Sequence, residues 1–578
     1  MTTTTEATVA EGSPSGTGPT AGKPAMTRRE TLEAMSGILL GMFVALLATS
    51  VVSSSLPKIV SELHGSGSSY TWVVTATLLT TTITTPIWGK LADMTNRKLL
   101  VQVALVVAVL SSAAAGLSQN VGELILFRAF QGIGAGGLTA LGTVLIADIV
   151  SPRERGKYMG LMGGVMAISM VGGPILGGTL TDSIGWRWDF FVGLPFAIVA
   201  IAVLQKTLHL PKRTKGDSKI DYWGAGLIAA GVALLLLWVT FAGSNFDWLS
   251  WQTFAMVGGS LVLLAAAALV EKRLGTQAII PMHLFKNRTF VLAVIASIAV
   301  GVAMFGSTVF LSQYIQIAKG RTPTESGLLT IPMVAGMLVS SVVVGQLIAR
   351  TGRYKYFMVA GGALLTTGLL LMSTIDYQTS FVTVGIFLAI LGIGVGMLMQ
   401  NLVLAVQNEL DVHEVGAGTA TVAFFRTLGG TIGVSVLGAV LTTKVTSSLT
   451  EGLAKLGVTT GLSSGSSLPE VNTLPGPVRT VVERAYGDGV AEIFLVAAPL
   501  ALVTVIACLL LKEIPLGTKS GVELMLDEQD GAAGGGLTAA QAEHRAELDA
   551  AMSVVAPTSS EEPEPRHAAR QDAGVGQG

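Results

Sequence analysis

Runs of about twenty apolar residues recur along the chain, and nothing else in it restricts the fold so strongly. Each is long enough to cross a hydrocarbon layer of roughly 30 Å as a helix. About fourteen can be read, at 36–56, 70–90, 99–118, 122–149, 156–180, 190–208, 221–242, 252–271, 289–317, 326–348, 357–375, 381–406, 417–441 and 490–511. A backbone in lipid has no water to bond, so it must be helical or belong to a closed barrel. These runs are about twice as long as a barrel strand and do not alternate, which leaves helices. Composition agrees: half the residues are hydrophobic and 13% are charged, against about a quarter charged in soluble domains. A net charge of −1 gives no footprint for a nucleic-acid partner. The 70 glycines have no collagen period and suit membrane helices. The single cysteine, Cys508, lies in an apolar run, so no intrachain disulfide is expected.

Basic residues set the orientation. One set of loops holds Lys90, Arg97 and Lys98; Arg153, Arg155 and Lys157; Lys206, Lys212, Arg213, Lys215 and Lys219; Lys272, Arg273, Lys286 and Arg288; and Arg350, Arg353 and Lys355. The alternate set has little beyond Lys58, Arg187, Lys319 and Arg321. The first set is expected to face the cytoplasm, and an even number of spans places both termini there. The opening "MTTTTEATVAEGSPSGTGPTAGKPAM" has no apolar centre, so the first span is expected to act as a retained anchor.

An internal repeat refines this plan. "GKLADMTNRK" (89–98) aligns with "GQLIARTGRY" (345–354), matching Gly89 with Gly345, Leu91 with Leu347, Thr95 with Thr351 and Arg97 with Arg353. The first joins the second and third runs, the second the tenth and eleventh. The offset exceeds a six-helix repeat by two, so two extra helices separate the halves. The expected organisation is a largely disordered cytoplasmic tail (1–35), a six-helix bundle (36–208) and two extra helices with basic flanks (209–288). A second six-helix bundle (289–511) follows, with an external loop at 442–489, and then a largely disordered cytoplasmic tail (512–578).

Four motifs carry a resemblance. "GKLADMTNRK" is a loop motif with Asn96 where glycine is usual, and "LILFRAFQGIGAGG" (124–137) places Arg128 within a span. "GLMGGVMAISMVGGPILGG" (160–178) carries Gly160, Gly173, Pro174, Gly177 and Gly178, with Ser169 at a usual glycine. "GWRWDFFVGLP" (185–195) has Gly193 at a usual asparagine. Together, over nearly all of 36–511, they resemble the major facilitator superfamily in its fourteen-span drug:proton antiporter branch. The resemblance implies an all-α polytopic membrane protein with two six-helix bundles and two extra central helices, working by alternating access.

Each motif also has a physical reading. Asp93 can cap a helix or pair with arginine, and Asp148 is a candidate partner for Arg97. Gly89, Asp93, Arg97, Lys98, Asp148, Gly345 and Arg353 are read as a gate that latches the cytoplasmic side; the alternative is a topology anchor. A charge within a span, as at Arg128, costs at least ~2.5 kcal/mol unless it faces water or a partner. Gln131 lies one turn away, so the two are read as lining a wet cavity; the alternative is an arginine reaching to the interface. The span-five glycines let backbones touch and Pro174 permits a kink. By resemblance they serve the antiporter's conformational step; the alternative is ordinary small-residue packing.

One absence matters. Members of the branch usually carry an aspartate in the first span, where this chain has Ala48. Either proton coupling has moved to Asp93, Asp148, Asp182, Asp189 or another edge acid, with Arg128 and Arg426 as counter-charges, or it is weak or absent. Substrate contacts are sought among Trp72, Thr77, Thr81, Gln131, Gln313, Gln316, Gln400, Asn401 and Arg426. Apolar walls with scattered hydroxyls and amides suit an amphipathic organic molecule. The expected function is export of amphipathic drugs or antibiotics across the cytoplasmic membrane in exchange for protons. Alternatives are a lipid or lipoglycan exporter, recruiting an external partner through 442–489, and a non-transporting sensor. No metal-ligand cluster, nucleophile elbow or redox pair is evident, so neither an enzyme nor a cofactor is expected.

Overall fold

Polar residues at the margins of the apolar runs mark where six of the helices start. Asn96, Asn120, Asp221, Ser250, Asn287 and Ser380 each accept a backbone N–H from the first turn of the helix that follows. Asn96 thus does something that the glycine usual at its position cannot. The computed structural model describes residues 28–64, 67–208, 221–243, 245–321, 323–456 and 475–525.

The helices are α1 (Arg28–Glu62), α2 (Gly67–Met94), α3 (Arg97–Gly116), α4 (Val121–Ile149), α5 (Pro152–Ser183), α6 (Gly193–Thr207), α7 (Tyr222–Phe241) and α8 (Trp251–Leu274). They continue with α9 (Arg288–Gln313), the short α10 (Pro323–Leu329), α11 (Ile331–Thr351), α12 (Lys355–Met372), α13 (Phe381–Glu409), α14 (Val415–Lys455) and α15 (Gly476–Leu510). No strand is present among the described residues. Among the described residues, thirteen helical stretches are long and apolar enough to cross a membrane.

The remaining long helix, α2, is rich in threonine. Its hydroxyls do not need water. Thr82, Thr84 and Thr85 bond back to carbonyls one turn earlier, and Thr77, Thr80 and Thr81 donate to Arg128, Ala129 and Gly132 of α4. A hydropathy scale charges those hydroxyls as if they were unpaired, so it underrates α2.

Helices α1–α6 pack among themselves, as do α9 and α11–α15. The groups meet where α2 crosses α14 and α5 crosses α11, with further contacts of α4 to α14 and α5 to α13. Helices α7 and α8 form a hairpin whose first member leans on α2 and α14. Phe254, Leu261, Val262 and Leu269 of α8 are exposed, an apolar face fit for lipid.

Two segments differ from expectation. Within 442–489, α14 continues to Lys455 and α15 begins at Gly476, leaving 457–474 outside the described residues. A side chain at Gly452 would strike Val481, and one at Gly489 would lie 2.8 Å from Leu441, so small residues let the two helices run on together. Membrane-crossing length ends at the apolar run; helix does not.

The tail is also not disordered from its start. Leu516, Ser520 and Val522 are buried. Glu513 accepts the backbone N–H of Tyr354 at 3.0 Å, and Asn408 accepts that of Gly517 at 3.3 Å. Arg153 N–H donates to the Gly517 carbonyl at 3.1 Å. Residues 512–523 therefore strap α12 and α13 to the start of α5. A second compact unit begins at Leu524, and its residues from 526 onward lie outside the described ones, as do 1–27.

Candidate functional site

Three charged residues from three helix ends converge. The Arg97 guanidinium bonds Asp93 at 2.9 Å, makes an ion pair with Asp148 and donates through Nε to the Ala92 carbonyl at 2.8 Å. Arg97 and Asp148 are 2% and 3% exposed, so the ions are held away from solvent. Asp93 also reaches across the seam. Its carboxylate accepts the backbone N–H of Gly416 at 3.0 Å and of Ala417 at 2.7 Å, at the start of α14. A negative charge at a helix N-terminus meets both unsatisfied donors and the positive end of the dipole. The cluster therefore ties α2, α3 and α4 to α14.

The repeat does not reproduce this cluster. Ala349 stands where Asp93 has its counterpart, and Arg353 is exposed. The acid beside that turn comes from the strap instead, as Glu513 bonding the backbone of Tyr354. Lys98 stands apart from the cluster, donating to the Gln205 carbonyl at the end of α6 at 2.8 Å.

Glycines make the two seams close. A side chain at Gly89 would strike Ala420 and approach the Gly416 carbonyl to 2.7 Å. At the other seam, one at Gly160 would lie 2.5 Å from the Ser341 carbonyl, one at Gly156 would lie 2.8 Å from that of Gly345, and one at Gly345 would strike that of Gly156. The span-five glycines divide between duties. Gly160 serves the seam, whereas Gly173 and Gly177 abut Ser50 and Ser55 of α1. Pro174 lies inside α5, and nothing stands within 4 Å of a side chain at Gly178. The backbone carbonyl of Ser169 accepts a hydrogen bond from the Ser50 hydroxyl at 2.8 Å.

Between the two helix groups lies a cavity walled by both of them. Met42, Met162 and Met166 supply soft apolar surface, with Thr139, Thr143, Thr419, Gln400 and Arg426 as polar groups. Arg426 donates to the Met399 carbonyl at 3.3 Å, and the Gln400 amide contacts Met166 Sδ at 3.7 Å while its Oε1 has no partner. Of the sequence candidates, Gln400 and Arg426 line this cavity. Trp72 does not: it packs on Phe241 of α7 with ring centroids 5.1 Å apart. Thr77 is spent on α4, Asn401 bonds the Met397 carbonyl of its own helix at 2.6 Å, and neither Gln313 nor Gln316 lines the cavity. The methionines carried no sequence signal, since apolar residues fill every span.

A smaller cavity lies within the first group, where Ala48 and Gln131 share a wall with Ala45, Ser112 and Phe190. Arg128 is buried, donates to Gln131 at 2.7 Å and has no partner for Nε. Arg128 thus stays within the bundle. The edge acids differ in setting: Asp93 and Asp148 are ion-paired, Asp182 is exposed, and Asp189 is 1% exposed. Asp189 accepts from Thr181 at 2.8 Å, and its Oδ1 has no partner.

The comparisons with known proteins agree with this geometry. The chain is 36% identical over 485 residues to an uncharacterized MFS-type transporter of Mycobacterium tuberculosis, covering 83% of this chain and 69% of that one. It is 35% identical to the multidrug transporter protein MdtP of Bacillus subtilis, over 72% of this chain and 77% of the relative. It is 33% identical to the efflux pump dotC of Dothistroma septosporum, over 88% of each. Among solved structures, the proton:xylose symporter XylE aligns with a TM-score of 0.56 at 14% identity, over 86% of this chain and 99% of that one. The human organic anion transporter MFSD10 aligns at 0.55 and 15% identity, over 82% of this chain and 99% of that one. The family description "Major Facilitator Superfamily" matches residues 38–434. With two helix groups meeting across a cavity and this family matched along most of its length, the chain belongs to the Major Facilitator Superfamily and is a multi-pass membrane transporter.

Proposed function

We propose that the protein exports amphipathic organic compounds, drugs or antibiotics among them, from the cytoplasm in exchange for protons. The observation that carries this reading is the cavity between the two groups. Its methionine walls, hydroxyls, amide and single guanidinium suit molecules that are mostly apolar with a polar end. The similarity to a multidrug transporter and an efflux pump supports the direction. The latch faces the cytoplasm by its basic loops, and both termini lie on that side. Alternating access follows from two groups that separate along the α2–α14 and α5–α11 seams. The test is expression in a strain lacking its major pumps, with a compound panel and a protonophore. Resistance is expected to vanish when the gradient collapses; resistance that survives sinks proton exchange.

Arg426 sets the polar end of the cavity. Replacing it with glutamine is expected to shift the ratio of resistance between anionic and cationic compounds at least about fivefold, since a buried charge is worth more than 1 kcal/mol against its opposite. Dose–response curves across the panel read this directly, and an unchanged ratio removes Arg426 from substrate selection.

Asp189 is assigned the coupling proton. The other edge acids are held by arginine or exposed, whereas Asp189 is buried with one oxygen unpaired. Asp189→Asn is expected to cut gradient-driven transport in proteoliposomes at least about tenfold while substrate counterflow persists. Equal loss of both assigns Asp189 to structure instead.

A further inference from the structure

A pair of buried acids lies outside the candidate site and both cavities. Asp221 caps α7 and Glu271 ends α8; they are 7% and 1% exposed. Each has one satisfied oxygen. Asp221 Oδ1 accepts the Gly224 N–H at 2.7 Å, and Glu271 Oε2 accepts that of Ile280 at 3.1 Å. The other two, Asp221 Oδ2 and Glu271 Oε1, are buried without a hydrogen-bond partner. Both lie against the same face of Gly224. A side chain at Gly224 would collide with Asp221 Oδ2 and lie 2.8 Å from Glu271 Oε1, so glycine leaves the space where the two oxygens converge.

We propose that Asp221 and Glu271 hold one proton between them while the latch is shut, and release it to the latch side when the seam opens. A proton fits better than a metal ion. Calcium or magnesium takes about six or more oxygens, and the groups flanking these two are N–H donors. One O–H between the carboxyls satisfies both orphan oxygens and removes one of two like charges from a buried site. The step is simple: the carboxyl O–H ionises to water on that side, and the electron pair stays on the carboxylate.

The pair is wired to the latch through Lys90 of α2. The carboxylates of Asp93, Glu271 and Glu414 all lie within electrostatic reach of its ammonium. Ionising the pair adds a negative charge that draws Lys90 from Asp93 and Glu414, the residues at the α2–α14 seam. Other charged groups on the surrounding elements are His283, which contacts Glu414 at 2.7 Å, and the exposed Lys272 and Arg273 of α8. Linkage gives the sign: the open state holds fewer protons, so raising the pH on the latch side favours opening, by up to about tenfold per pH unit for one proton.

This rests on the latch reading above, and the test separates the two. Spin labels at Thr95→Cys and His413→Cys, both exposed, report the seam in full-length protein in nanodiscs; Cys508 is buried and takes no label. The 95–413 distance is expected to lengthen as pH rises, and to ignore pH in Glu271→Gln and Asp221→Asn. His283→Gln is expected to keep the response. Infrared difference spectra over the same pH series should show a protonated-carboxyl band that both amide variants lose. A distance that lengthens with pH equally in the parent and both amide variants overturns the inference and leaves the latch standing. A band retained in both variants overturns it as well. If the pH response persists in Asp93→Asn at unchanged amplitude, the latch reading falls while the proton site survives.

Discussion

Asp93→Asn is expected to abolish resistance while leaving the amount of protein in the membrane unchanged. Insertion depends on the apolar runs, which the substitution does not touch. Closure depends on a carboxylate that serves Arg97, Gly416 and Ala417 at once. Asparagine is neutral and has one acceptor oxygen, so Arg97 keeps Asp148 alone and an α14 donor loses its partner. Breaking a buried ion pair costs on the order of 3 kcal/mol, a shift of roughly a hundredfold between closed and open populations. A cysteine at Thr143, in the cavity wall, measures this shift. Its labelling from the latch side should rise sharply in the Asp93 variant, and labelling no faster than in the parent would remove Asp93 from closure.

Gly345→Val is expected to be as severe for a different reason. Its new carbon collides with the Gly156 carbonyl, and backbone cannot move aside as a side-chain tip can. The α5–α11 seam must part, and the cavity then leaks towards the latch side. Gly345→Ala should retain a fraction of activity, and Gly160→Ala should resemble it because the Ser341 carbonyl lies 2.5 Å from the added carbon. Gly178→Ala is the control, with nothing within 4 Å, and should behave as the parent. Minimum inhibitory concentrations across this series rank the seam. If Gly178→Ala and Gly345→Val are alike, close backbone approach is not what these glycines supply.

The two substitutions also show how much could be read in advance. Asp93, Arg97 and Asp148 are visible because a charge at the edge of an apolar run has few reasons to be there. Their shared partner at Gly416 and Ala417 is invisible, since backbone N–H groups look alike in every helix. The repeat at 345–354 suggests a second latch, yet Ala349 has no charge to offer and Glu513, far along the chain, supplies the acid at that turn. The cavity wall was hardest to read: Thr77 and Thr81 of α2 read as polar lining, but their hydroxyls close on backbone, whereas Met42, Met162 and Met166, which no motif singles out, form the wall.

Sequence by itself determined the helices, their approximate limits and the family, because hydrocarbon enforces length and apolarity on any segment that crosses it. Tertiary structure alone decided which polar groups are satisfied. A threonine, a carboxylate or an arginine has the same formula whether it bonds a neighbouring carbonyl or faces an empty space, and only packing distinguishes Thr77 from Gln400, or Asp148 from Asp189 and the Asp221–Glu271 pair. That distinction rests on distances of a few ångströms between helices remote in the chain, and local pattern carries no record of them.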